Sequence, residues 1–241
     1  EKLKEIKNIL AQNNKSQEKN LKKEIEEFNE LRKLLKKLRD KIIENYKISF
    51  LTLIDVLKND YYKKDKKRIK EVINSIEKDS LAINKNSLKE NNAPRPRVII
   101  SGSCLLDKTL VKKVENIGMK VIALDSCLGE RSFDFTVKTN GPNLIENLAY
   151  SYLNKKQCPR MMNIDKRLNE IKEIISERNA DGLIYFIPKF CDQSSYDFKY
   201  LKKWFKENNF PILKLEGEYQ SANRGQITTR IEAFKESINL K

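Results

Sequence analysis

The chain has 241 residues, 39% hydrophobic and 34% charged, with a net charge of +15 and no histidine. The missing histidine excludes His-ligated zinc, Ser-His-Asp triads and Cys-His nucleophiles within this chain. No run approaches the roughly 18 apolar residues of a membrane span.

The first residues read as helix rather than as a signal peptide, and without a starting Met the chain is expected to be a piece of a longer protein. A cytoplasmic protein is expected, so its four cysteines are not expected to form disulfides. Any metal site would rest on thiolates and carboxylates. The positive charge is spread evenly, with 24 basic and 16 acidic residues in 1–90 and 25 and 18 in the rest. The densest run, "KKDKKRIK" at 63–70, has no interleaved aromatics. It reads as a solvated helix face, and neither nucleic acid nor membrane is expected as a partner.

Residues 1–90 contain neither Gly nor Pro. Leu21, Ile25, Phe28, Leu31, Leu35, Leu38 and Ile42 recur at steps of three and four, which places them on one helical face. Three or four helices are predicted here, the longest over about 18–46. The polar segment "KNSLKENNAPRPR" reads as a linker, with the break at 91–96.

From Arg97 the period changes. Strands are predicted at 97–103, 120–126, 181–188 and 211–218. Helices are predicted at 108–118, 143–153, about 165–179, 196–209 and 225–238. Strict alternation of strand and helix implies right-handed crossovers and a parallel sheet. Near-continuous apolar strands imply a sheet covered on both faces. The predicted fold over 97–241 is a flavodoxin-like or Rossmann-like three-layer α/β domain with a four-stranded parallel sheet, preceded by the helical segment. No GxGxxG or P-loop sequence is present, so a nucleotide site of those kinds is not supported.

In such a sheet all strand C-termini open onto one edge, where ligands bind. Cys104, Cys127 and Cys191 each follow a predicted strand, and Cys158 lies in the loop "KKQCPRMMN". Glu216 and Glu218 end the fourth strand at the same edge. Any one of these cysteines could be a buried small hydrophobe. Three at the same edge point instead to a thiolate site. The spacings match neither zinc ribbons nor ferredoxin runs.

The segments "PRVIISGSCL", "DSCLGERSF", "YLNKKQCPRMMN", "RLNEI…ERNADGLIYFIPKFCD", "LKKWFKENNFPILKLEGEY" and "GQITTRIEAFKE" occur in this order. Together they resemble the C-terminal half of the 2-hydroxyacyl-CoA dehydratase D-component family. That family also holds benzoyl-CoA reductase subunits and double-cubane iron–sulfur proteins. The resemblance is dense over 95–241 and looser over 1–90, which resembles the family's inter-domain helices. It implies two similar α/β domains holding a [4Fe–4S] cluster between them, with a double cubane as the alternative. It also implies an ATP-dependent iron–sulfur activator protein that delivers one low-potential electron, a CoA thioester substrate, and a paralogous second subunit or a homodimer. In the dehydratases the electron makes a ketyl radical of the 2-hydroxyacyl thioester, from which hydroxide can leave.

Residue by residue, the resemblance makes Cys191 of the "FCD" motif the leading cluster ligand. It sets Cys127 and Cys158 at the cluster as ligands or as neighbours. Gly129 and Arg131 match the turn beside Cys127. Gln226, Thr229, Arg230 and Glu232 match the start of the last helix, where Arg230 is a candidate anion holder. A plain ion pair is the alternative for Arg230 and Glu232. Glu218 keeps the acid of the family's "LETDY" in the variant "LEGEY". Cys104 is an extra or structural thiol. The family's N-terminal domain has no counterpart in this sequence, so the chain alone is expected to be inactive. A double-cubane reductase and a non-catalytic relay or assembly module remain the competing functions. The single Cys158, where the double-cubane branch has a CxC pair, favours the dehydratase-like branch.

Overall fold

The computed structural model describes residues 1–10, 17–86, 95–102, 108–141, 143–161, 163–218 and 225–239. The helical segment comprises α1 (Lys2–Leu10), α2 (Gln17–Glu44), α3 (Leu51–Val56) and α4 (Lys66–Asn86). A π-helical turn, Leu57–Tyr61, extends α3. Then come β1 (Arg97–Gly102), α5 (Lys108–Asn116), β2 (Lys120–Asp125), α6 (Leu144–Asn154), α7 (Ile164–Glu177), β3 (Gly182–Pro188), α8 (Asp192–Glu207), β4 (Ile212–Gly217) and α9 (Gly225–Asn239). No helix among the described residues is long and apolar enough to cross a membrane.

The four strands pair in parallel in the order β2-β1-β3-β4. This is the beginning of the flavodoxin-like order. Alternate side chains leave opposite faces of the sheet. Val98, Ile100, Ile184, Phe186 and Leu215 face one layer, formed by α2, α3, α4, α5 and α9. Ile99, Leu183, Tyr185 and Ile187 face the other, formed by α7 and α8. The helical segment therefore packs into the same core as the sheet. Leu31, Leu35, Leu38 and Ile42, the stripe visible in the sequence, are all fully buried there.

Two local features depart from the expected boundaries. Helix α8 starts at Asp192 rather than 196, because Phe190 takes a left-handed φ of 62° and Cys191 becomes the N-cap. The Cys191 N–H then bonds back to the Pro188 carbonyl at 3.1 Å, which folds strand end and helix start into one tight turn. In β2, Val98 pairs with Val121 and Ile99 with Ala123, so Ile122 is skipped. This is a β-bulge, and the Ile122 carbonyl accepts from Arg178 Nη1 at 2.8 Å.

Polar ties hold α2 to the α/β layers. Asn29 exchanges two hydrogen bonds with the Val137 backbone, at 2.7 and 3.1 Å. Buried Lys120 donates to the carbonyls of Asn45 and Ile48 just past α2. Part of the basic run 63–70 faces α2. Lys64 pairs with Glu24 and Glu27, and Lys66 with Glu30 at 2.8 Å.

Because one core serves both segments, Leu35→Ala is expected to cost about 2–5 kcal/mol. Urea unfolding should show it as a single transition at lower denaturant. The single tryptophan, Trp204 on α8, and far-UV circular dichroism should report the same midpoint. Two separated transitions, with Trp204 unaffected, would show that the layers unfold independently.

Candidate functional site

The four strands end at Gly102, Asp125, Pro188 and Gly217. The chain leaves β1 toward β2 on one side and β3 toward β4 on the other. The crevice outside the β1 and β3 ends is therefore the expected ligand position.

Cys127 lies just past β2 in a turn that needs glycine. The Gly129 N–H bonds to Ser126 Oγ at 2.9 Å. A Cβ at Gly129 would meet the Leu124 carbonyl, and would lie 2.8 Å from Ser126 Oγ. The turn is then locked by Arg131, 1% exposed. Its Nε donates to Asp125 Oδ1 at 2.6 Å, and its Nη2 to Asp125 Oδ2 at 2.8 Å. Nη2 also donates to the carbonyls of Asp125 and Gly102, at 2.7 and 3.2 Å. The remaining Nη1 reaches Cys127 Sγ at 3.8 Å. A fixed positive charge thus stands beside this thiol.

Cys158 arrives from the loop between α6 and α7. Its neighbour Gln157 is held at both backbone ends by α7. The N–H donates to Glu170 Oε2 at 2.6 Å, and the carbonyl accepts from Arg167 Nη1 at 3.3 Å. Cys158 and Cys127 meet: a hydrogen bond from Cys127 pushes the Cys158 thiol down to about 5. Burial opposes that shift, while backbone N–H groups of Arg160 and Met161 and the Arg131 charge support it.

Cys191 stands apart from this pair. It is half-buried at the head of α8, and its S–H donates to Ser194 Oγ at 3.2 Å. The strand order puts β1 between β2 and β3, so their ends are separated by two spacings of about 4.8 Å each. Phe190, beside Cys191, is 99% exposed, and Leu128, beside Cys127, is also exposed.

Glu218 pairs with Lys189 Nζ at 3.1 Å at the same edge, two residues from Cys191. The residues matched on the last helix lie differently. Arg230 Nη2 donates to the carbonyl of Lys214 within β4 at 2.7 Å. Thr229 Oγ1 donates to the Gly225 carbonyl of its own helix at 3.5 Å, and Gln226 and Glu232 are exposed. Glu216 pairs with Lys214 at 3.0 Å. Cys104 lies outside the described residues. The structure thus brings together Cys127, Cys158, Gly129 and Arg131, with Cys191 and Glu218 further along the edge. Among the described residues, no three of His, Cys, Asp or Glu are arranged around one metal position.

The sequence reading missed the buried polar cluster beneath the edge. Asp125 is shared by Arg131 and Arg167, whose Nη1 lies 2.8 Å from Asp125 Oδ2. Ser101 Oγ donates to the same carboxylate at 2.7 Å. Arg167 Nε pairs with Asp197 Oδ2 at 3.2 Å, which also accepts from the Tyr185 hydroxyl at 2.6 Å. One signal was present. Arg167 precedes Ile171 and Ile174 by four and seven positions, which sets it on the buried stripe of its helix.

A parallel three-layer α/β protein with a thiol pair at the C-terminal edge of its sheet is the class that fold and site define. The family model described as "2-hydroxyglutaryl-CoA dehydratase, D-component" matches residues 1–238, and the chain belongs to that family. It is 31% identical over 189 residues to the (R)-phenyllactyl-CoA dehydratase beta subunit of Clostridium sporogenes, covering 76% of this chain and 47% of that protein. It is 25% identical over 146 residues to the beta subunit of (R)-2-hydroxyglutaryl-CoA dehydratase from Acidaminococcus fermentans, covering 59% and 38%. It is 26% identical over 174 residues to a benzoyl-CoA reductase subunit of Thauera aromatica, covering 69% and 44%. The matches span less than half the length of each of these relatives.

In the metal-free chain, Cys158 is expected to react with iodoacetamide at pH 6, where an ordinary thiol is almost wholly protonated. Cys127→Ala removes the first support of that thiolate and raises its pKa. The rate at pH 6 should then fall by about an order of magnitude, read by peptide mass spectrometry. An unchanged rate would dissolve the pair.

Proposed function

We propose that this chain is part of a subunit of a 2-hydroxyacyl-CoA dehydratase-type enzyme and supplies one side of an iron–sulfur site. The observation that carries the reading is the Cys127–Cys158 pair beside Arg131 at the C-terminal edge of the sheet. Thiolates are the donors such clusters take. The donor set fits in kind but not in number. Cys127 and Cys158 offer two sulfurs together and Cys191 a third along the edge, so further ligands must come from outside the described residues. When bound, the cluster supplies a single low-potential electron.

This chain's own residues do the holding. Asp125, Arg131 and Gly129 shape the turn that presents Cys127. Arg131 also sets a cation next to sulfurs that must be thiolates to bind, which offsets their mutual repulsion. Helix α7 fixes Cys158, and the turn Pro188–Asp192 fixes Cys191. Phe190 and Leu128 flank the cysteines with exposed apolar surface of the kind that protein partners cover. Such a partner would be a second subunit, as the name "beta subunit" implies for two of the relatives. An ATP-dependent activator and a CoA thioester complete the reading. A reductase role is the second reading, favoured by the similarity to the benzoyl-CoA reductase protein.

Reconstituted anaerobically with iron and sulfide, the chain alone is expected to hold fewer than about four irons in a labile species. Cys127→Ala and Cys191→Ala should each lower its iron content while leaving the circular dichroism unchanged. Iron binding indifferent to both substitutions would remove the cysteines from this role. A stable brown species with about four irons per chain would remove the need for donors from elsewhere.

A further inference from the structure

We propose that Arg167 is a positioning residue that sets the separation of Cys127 and Cys158. The proposal rests on the reading of those thiols as a working pair, but not on iron binding. Arg167 is 2% exposed and touches elements next to each of the described cysteines, Cys127, Cys158 and Cys191. Its Nη2 donates to Ser101 Oγ at 3.0 Å, near the end of β1, three residues before Cys104. Its Nη1 lies 2.8 Å from Asp125 Oδ2, two residues before Cys127. The same nitrogen donates to the Gln157 carbonyl at 3.3 Å, immediately before Cys158. Its Nε reaches Asp197 Oδ2 at 3.2 Å, on the helix that Cys191 caps.

The planar guanidinium explains the choice of residue. Its five N–H groups in a rigid planar fork can address four separate acceptors at fixed angles, more than the three donors of an ammonium allow. Stability does not explain it, because buried ion pairs can often be replaced by apolar residues at no loss. The two Arg and two Asp of this cluster instead specify where their segments sit. The mechanical path is short. Glu170 and Arg167, one turn apart on α7, grip the two backbone ends of Gln157. Arg167 in turn fixes α7 to Asp125 and so to the Cys127 turn. Cutting that link frees the Cys158 loop to drift from Cys127 while both segments stay folded.

The test uses phenylarsine oxide on the reduced, metal-free 241-residue chain. Two thiols displace the arsenic-bound oxygen: two As–S bonds form, the oxygen leaves as water with both thiol protons, and no oxidation state changes. Capture demands two sulfurs within bridging reach. Wild type should bind one equivalent tightly, and Cys127→Ala or Cys158→Ala should abolish that binding. Arg167→Met should weaken it about tenfold or more, because the pair loses its effective concentration. Arg167→Lys keeps the charge but not the fork, and should fall between the two. Phe234→Leu is the control. It loosens the core under α9, on the opposite face of the sheet, and should lower the melting temperature while leaving capture unchanged.

Wild-type capture by folded Arg167→Met, or by Arg167→Lys if the first variant does not fold, overturns the proposal. So does equal weakening in Phe234→Leu at matched stability, and so does a wild type that captures nothing. Normal capture in a chain whose cysteines do not affect iron binding would defeat the iron–sulfur reading and leave the positioning role standing.

Discussion

A single carboxylate, that of Asp125, anchors the C-terminal edge of this sheet. Burial alone would favour its neutral form, but Arg131 and Arg167 hold it ionised, well below the usual carboxylate range. Both arginines are almost fully enclosed, so each needs the carboxylate as much as it needs them. Removing any one partner would leave a buried charge uncompensated, which costs far more than the pair contributes. The segments carrying these groups are therefore committed to one arrangement. Arg131 dictates the Cys127 turn, and Arg167 dictates where α7 lies.

A second buried acid performs the corresponding task between the layers. Glu130 sits in the same turn and accepts from the Leu124 N–H at 3.1 Å. Arg178 grips it at 2.8 and 2.6 Å, and Arg39 of α2 reaches it at 3.3 Å. Burial again opposes ionisation, and Arg178 and then Arg39 overcome it. The Nη1 of Arg178 also donates to the Ile122 carbonyl at the bulge, at 2.8 Å. The helical segment is thus coupled to the cysteine turn through Arg39, and not only through apolar packing. Adjacent residues Glu130 and Arg131 point in different directions, one to the helices and one to the thiols.

Much of the fold was legible because its signals are local. The stripe from Leu21 to Ile42 has helical period, and the runs "RVIISG", "KVIALD" and "GLIYFIP" are too apolar for a half-exposed sheet. The cysteine edge was legible for a topological reason, since parallel strands end on one side. The meeting of Cys127 with Cys158 had a weaker basis. It depends on a loop whose course is set by Glu170, which reads as an ordinary helix-surface residue, and by Arg167, whose place on the buried stripe of α7 does not reveal its partners. The π-helical turn at Leu57–Tyr61 and the early start of α8 were also hidden. The first has no residue signature, and the second hinges on a non-glycine residue, Phe190, accepting a positive φ. The matched residues of the last helix illustrate the converse. Arg230 stands near a helix start in sequence, yet its guanidinium donates to a strand carbonyl, that of Lys214.

The distribution of thiols follows from the strand order. Cys127 and Cys158 gather over β2 and β1, while Cys191 stands beyond β1 at the end of β3. The β1 and β3 ends, where the crossovers diverge, lie between them. The sulfur pair thus flanks this switch point on one side and the turn of Cys191 on the other. Each side is held differently: the first by buried charge, the second by a strand-to-helix turn closed by the Cys191 N–H on the Pro188 carbonyl. The charges that hold the first side are buried rather than placed at the rim, where water and mobile side chains would compete for the same hydrogen bonds.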